Sequence, residues 1–150
     1  MKIVHAYLFF SIRFAGGTSD LMFKIAKAQE KQKLNPIIYS GNYKFDHDLA
    51  RKLKQTIFKI TESYFDKQGF SIMPGLNSEL EANREDIDIV HMHVFRTFQN
   101  YMLYRFCVRN KIPYVMDAHG AVPYATKKVF LKKAYDWLIG RKILKNASYL

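Results

Sequence analysis

A chain of 150 residues with 49% hydrophobic and 15% aromatic residues is long and apolar enough for one buried core, which excludes intrinsic disorder. Its 24 lysines and arginines against 13 acids give a net charge of +11 and point to a polyanionic partner: nucleic acid, an anionic membrane surface or phosphorylated small molecules. A single cysteine, Cys107, excludes a disulfide framework and fits a reducing compartment, and no apolar stretch reaches bilayer-spanning length.

Met1 to Phe10 pairs a charge with an apolar run but lacks a small-residue cleavage site, so it reads as a first buried strand. Gly16-Gly17 followed by Thr18, Ser19 and Asp20 predicts a turn feeding a capped helix start, with Leu21, Met22, Ile25, Ala26 and Ala28 at helical spacing. Strand, glycine turn and helix together open a nucleotide-binding unit, because free amides and the positive end of the helix dipole favour phosphate. On spacing alone an ordinary tight turn competes evenly with a phosphate or sugar contact, since neither G-x-G-x-x-G nor a P-loop is present.

Asn35 to Ser40 predicts a second strand, with Gly41 and Asn42 as its turn. Phe45, Leu49, Leu53 and Ile57 recur every fourth residue with Lys44, Arg51, Lys52 and Lys54 between them, which predicts an amphipathic basic helix. Ile57 to Met73 allows one or two short strands around Asp66-Lys67-Gln68-Gly69, and Leu76 to Glu85 a short acidic helix. Ile87 to Phe95 is apolar on both alternating faces, as in a central parallel strand, and places His91 and His93 on one face. Thr97 to Lys111, with Phe98, Tyr101, Met102, Phe106 and Val108, predicts a largely buried helix leading to the strand Ile112 to Gly120. These three form a βαβ unit, whose crossover is expected to be right-handed.

The last helix is expected from Ala125 to about Lys145. At about 100° per residue, Phe130, Leu131, Ala134, Trp137 and Leu138 gather on one arc, among Lys127, Lys128, Lys132, Lys133, Arg141, Lys142 and Lys145. Packing of that arc on the sheet is expected ahead of a membrane-lying helix. Ser148 to Leu150 looks like the start of another strand, so the chain reads as part of a larger protein. The element order gives an α/β fold: a doubly wound, Rossmann-like, mainly parallel sheet with helices on both faces.

These motifs together resemble the amino-terminal domain of the family 4 (group 1) glycosyltransferases of GT-B architecture. The matching features are Met1-Lys2-Ile3-Val4 running into Ala15-Gly16-Gly17, Asp88 to His93, Ile112-Pro113-Tyr114-Val115 to His119-Gly120, and Tyr135 to Ala147. The resemblance implies a first, acceptor-side domain over residues 1–150 of a retaining transferase that moves a sugar from a nucleotide-sugar to a glycan or lipid-linked acceptor. A carboxy-terminal donor-binding domain would be the missing partner, and the isolated chain would be inactive. It further implies that Gly16 and Gly17, with Thr18, line the cleft near the donor phosphates, and that His119 lies beside the transferring sugar as the catalytic candidate. His93, Phe95, Arg96 and Asp117 are the acceptor-contact candidates. The nucleotide-sugar would be a co-substrate, with no metal expected. The segment from Gly41 to Gly75 matches no known pattern, which leaves the acceptor open.

Lys44, Arg51, Lys52, Lys127, Lys128, Lys132 and Lys133 are the expected contacts to an anionic membrane surface, which would make the protein cytoplasmic and peripheral. His91, His93 and His119 have a spacing that zinc could use, but only Asp117 offers itself as a further ligand, so structural or acceptor-contacting histidines are the expected reading. A nucleic-acid binder lacks any recognisable motif here; a stand-alone regulatory or nucleotide-binding module is the alternative.

Overall fold

The computed structural model describes residues 1–65, 71–119 and 129–149. Its centre is a parallel sheet of five strands: β1 (Lys2–Tyr7), β2 (Asn35–Gly41), β3 (Ile57–Thr61), β6 (Ile89–His93) and β7 (Tyr114–Asp117), in spatial order β3-β2-β1-β6-β7. A separate antiparallel pair, β4 (Tyr64–Phe65) and β5 (Ser71–Ile72), lies between β3 and β6 in sequence. The helices are α1 (Ile12–Ala15), α2 (Gly17–Lys31), α3 (His47–Ala50), α4 (Leu76–Ala82), α5 (Phe98–Asn110), α6 (Val129–Tyr135) and α7 (Arg141–Lys145).

Alternation along each strand divides the core between two faces. Val4, Ala6, Ile37, Tyr39, Val90, Met92, Tyr114 and Met116 point to one, where they pack with Leu76 and Leu80 of α4, Leu103 and Phe106 of α5, and Ile143 of α7. Ile38 points to the other, packing with Met22 and Ala26 of α2, Phe10, Leu49 and Leu53. Helices on both faces of a parallel sheet make the fold the expected doubly wound, Rossmann-like one. Cys107 is buried and its thiol is pushed up to about 12 by that burial, so it packs as a small hydrophobe. Tyr149 adds a single isolated parallel bridge to Val115. Among the described residues no helix is long and apolar enough to cross a membrane.

Four expectations need correction. The basic helix through Phe45, Leu49, Leu53 and Ile57 is only the four residues of α3, capped by Asp46, whose side chain accepts from the Leu49 amide at 2.9 Å. Glu30 Oε1 then accepts from the amides of Gln55 and Thr56 at 2.7 and 2.8 Å and turns the chain into β3, so Ile57 pairs with Ile37. The β-branched and aromatic run Thr56-Ile57-Phe58 fits the free edge of β2 better than a helix. Lys44, Arg51 and Lys52 therefore share no helical face.

The second concerns the start of α2. It begins at Gly17 with Gly16 as its cap, no side chain caps it, and Thr18, Ser19 and Asp20 lie inside its first turn. Ser19 is buried and instead donates to the Phe9 carbonyl at 3.1 Å. In α5, the third case, Gln99, Asn100, Leu103, Phe106 and Cys107 are buried, while Phe98 and Val108 are exposed.

The largest reversal is in the last helix, where α6 and α7 run on through a π-helical turn, Asp136–Gly140. The predicted inward arc faces out: Phe130, Leu131, Trp137 and Leu138 are 83%, 61%, 74% and 62% exposed. The opposite stripe, Tyr135, Ile139 and Ile143, packs on the core. Two polar anchors choose this rotation. Asp136 forms a buried two-pronged ion pair with Arg96, and the Tyr114 hydroxyl donates to the Ile143 carbonyl. The Asp66–Gly69 turn, Gly120, the segment 125–128 with Lys127 and Lys128, and Leu150 lie outside the described residues.

Candidate functional site

The sheet order reverses between β1 and β6, and ligands of open α/β sheets bind outside the carboxyl ends of the strands at such a point. Three groups of residues meet that edge.

The first is the β1-to-α2 connection. Gly16 has φ 58° and ψ −131°, a conformation that residues with a Cβ rarely adopt. Among the described residues, a Cβ built on either Gly16 or Gly17 meets nothing within 4 Å, so none of them fills the space before the start of α2. The first amides of the helix have no intrahelical acceptor and no capping side chain. Beside them is an aromatic cluster that links β1's exit to the β2 turn: Phe9 and Phe14 have ring centroids 4.8 Å apart, and Phe14 and Tyr43 are 5.5 Å apart. Phe14 and Tyr43 are 37% and 38% exposed, and the Lys44 ammonium stands 4.4 Å from the Phe14 centroid. Lys44 was singled out in the sequence; its meeting with Phe14 and Tyr43 was not readable there, because it depends on β2 lying beside β1.

The second group is the end of β6. Val94 and Arg96 have φ of 62° and 65°, left-handed values that are unusual for a β-branched residue and for arginine. Asn100, buried in the first turn of α5, holds this bend by donating from its side-chain amide to the carbonyls of His93 and Val94. Three proposed acceptor contacts are committed elsewhere. The Arg96 side chain is 8% exposed, with its Nε 2.9 Å from Asp136 Oδ1 and its terminal nitrogen 2.7 Å from Oδ2. Phe95 is buried against Tyr135, and His93 is buried within the sheet. The surroundings of Arg96 and Phe95 show anchoring of the last helix, which a strand-end position in the sequence does not reveal.

The third group is the end of β7. Asp117 is partly exposed, its Oδ1 accepting from the His119 amide at 3.2 Å and lying 3.8 Å from His119 Nδ1. His119 has φ 46°. Left-handed residues at Gly16, Val94, Arg96 and His119 thus gather at one edge of the sheet.

Behind this edge lies a row of histidines that the sequence only half showed. His5 of β1 is in register with His91 of β6, and His93 follows on the same face. His5 Nε2 is 2.9 Å from Gln29 Oε1 of α2, His5 Nδ1 is 3.0 Å from His93 Nε2, and His93 Nδ1 is 3.1 Å from His119 Nε2. Burial pushes His5 down to about 4, aided by His91, and burial likewise drives His93 well below the ordinary histidine value. His91 shifts the same way, again mainly through burial, while Asp117 opposes the shift. His5, His91 and His93 are therefore neutral at pH 7. His5 escaped notice because a histidine in an N-terminal strand acquires its neighbours only once β1 pairs with β6.

Of the basic residues proposed for anion contact, Arg51 pairs with Asp48 at 2.8 Å, Lys52 and Lys133 are exposed, and Lys132 is half-buried.

No family model matches the sequence, and no curated protein matches it. Among solved structures, one described as the crystal structure of RSP in complex with beta-NADH is similar at 14% sequence identity and a TM-score of 0.44, over 96% of this chain. The chain spans 62% of that protein's length.

Proposed function

We propose that the chain binds a phosphorylated, ring-bearing ligand of nucleotide type at the carboxyl edge of its sheet. The carrying observation is the uncapped amino terminus of α2 at the sheet's reversal point, opening onto space in front of Gly16 and Gly17. Backbone amides and the helix dipole would take the phosphate, Lys44 would add a cation, and the exposed rings of Phe14 and Tyr43 would take the flat or apolar part of the ligand.

Gly17→Asp separates folding from binding. Its Cβ meets nothing within 4 Å among the described residues, and an acid in the first turn favours the helix by about 0.3–1 kcal/mol, but the same charge repels an anion. Calorimetric titration with nucleoside diphosphates should show binding to the unaltered chain and none to a folded Gly17→Asp variant. Equal binding by both would overturn the proposal.

A narrower reading is that of the acceptor-side domain of a nucleotide-sugar-dependent glycosyltransferase. It is favoured by His119 standing at the end of β7 on the same edge as Gly16-Gly17, the place the sequence resemblance gives it. In that reading His119 offers a polar contact to the transferring sugar or its phosphate leaving group, and a donor-binding domain completes the cleft. A full-length enzyme carrying His119→Ala that kept its turnover would refute it.

The outward arc of Phe130, Leu131, Trp137 and Leu138, flanked by Lys133, Arg141, Lys142 and Lys145, favours docking on an anionic lipid surface. Co-sedimentation with phosphatidylserine vesicles at low salt should fall sharply in Trp137→Glu; equal sedimentation of the two would exclude that face.

A further inference from the structure

We infer that His5, His91 and His93 form a binding site for one divalent transition-metal ion of the zinc class. One nitrogen from each ring can be chosen so that all three lie within 4.8 Å of one another. Two imidazole nitrogens bound to a tetrahedral ion at about 2.0–2.1 Å stand about 3.4 Å apart. His5 Nδ1 and His93 Nε2 are already 3.0 Å apart, so a spread of a few tenths of an ångström would admit the ion.

The backbone builds the triangle. Parallel pairing sets His5 directly beside His91, and the two-residue period of β6 returns His93 to the same face. His5 and His93 are fully buried, while His91 is half-buried.

A histidine that ligates a metal ordinarily gives its other ring N–H to an acceptor, which fixes the tautomer. Both buried histidines have that acceptor in place. His5 presents Nδ1 to the triangle and Nε2 to Gln29 Oε1; His93 presents Nε2 to the triangle and Nδ1 to His119 Nε2. Asp117, in register with His93 on β7, puts a carboxylate beside the row.

Tautomers distinguish the two states. Without metal, Gln29 Oε1 takes the His5 Nε2 proton, so His5 Nδ1 must accept and His93 must donate from Nε2. With metal, the His93 Nε2 lone pair turns to the ion and its ring proton moves to Nδ1, donating to His119 Nε2, while the His119 ring proton moves from Nε2 to Nδ1 on the Asp117 side. Three histidines leave one tetrahedral position for water or a ligand's oxygen, the composition of open zinc sites. The inference is independent of the nucleotide reading, because its probe is the metal alone.

The experiment is titration of chelator-treated chain with Zn²⁺ by calorimetry and with Co²⁺ by visible absorption, together with nitrogen-15 NMR of the histidine rings. One ion should bind per chain, Co²⁺ should give the absorption of a tetrahedral site, and His93 should change from the Nε2–H to the Nδ1–H tautomer on metal addition. His91→Ala, at a half-buried position and checked for folding by circular dichroism, should lose about 100-fold or more in affinity. Gln29→Ala should lose about 10- to 100-fold, and His47→Ala, away from the row, nothing. Absence of saturable uptake, an unchanged His93 tautomer, or uptake that survives His91→Ala would each overturn the inference.

Discussion

The Arg96–Asp136 pair joins the end of β6 to the π-helical turn that precedes α7, across 40 residues of sequence. Both side chains are nearly sealed from water, at 8% and 11% exposure, and two hydrogen bonds of 2.9 and 2.7 Å link them. Asp136→Ala leaves a guanidinium buried without its counter-ion, which costs about 3–5 kcal/mol. At about 2–4 °C per kcal/mol for a chain of this size, the melting temperature should fall by about 6–20 °C. Replacing both partners with apolar residues, Arg96→Met with Asp136→Leu, removes the stranded charge and should recover most of the loss. Urea unfolding of Arg96→Met, Asp136→Leu and the variant carrying both measures the coupling directly. A cost below about 1 kcal/mol for Asp136→Ala would refute the claim that this pair, rather than the apolar arc, sets the rotation of the last helix.

The remaining predictions concern backbone, burial and pH. Gly16→Ala should destabilise by about 1–3 kcal/mol because of its positive φ, whereas Gly17→Ala, with open space at its Cβ, should be near neutral by urea unfolding. Ile143→Ala should cost about 2–5 kcal/mol, while Trp137→Ala should fall within about 0.5 kcal/mol of the unaltered chain; thermal melts of the two variants check which face of the helix is buried. In chelator, stability should fall as pH drops from 6.5 toward 4, because the unfolded chain protonates His5 while the folded chain keeps it neutral. At about 1.4 kcal/mol per pH unit, His5 alone accounts for about 3 kcal/mol, and His93 and His91 act in the same direction. Stability that is flat between pH 7 and 4 would contradict the burial of the row.

Short β-rich runs with apolar residues on both faces of the chain, such as those of Lys2–Tyr7 and Ile89–His93 despite their histidines, disclosed the parallel sheet because central strands are covered on both sides. The glycine turn before α2 and the ends of β6 and β7 were legible for the same reason: strand ends of such a sheet lie on one edge. The rotation of the last helix was not, because its two apolar stripes look alike until Asp136 finds Arg96 and Ile143 finds Tyr114. Phe45 to Ile57 misled because a spacing of four suits a helix, while the edge of β2 and the Glu30 carboxylate reward a strand from Ile57 onward. Arg96 illustrates the limit for sites: its position next to the crevice was readable, but the partner that occupies its guanidinium lies 40 residues away. His5 is the converse, a single residue in a plain strand that becomes part of a four-histidine row through pairing alone.

The most direct test of the nucleotide-type site is backbone amide NMR of the chain titrated with a nucleoside diphosphate. The largest shifts should fall on Gly16, Gly17, Thr18 and Ser19, with smaller ones at Tyr43, Lys44 and Asp117 to His119. Saturating shifts confined to residues away from the carboxyl edge of the sheet, or none at millimolar ligand, would contradict the account.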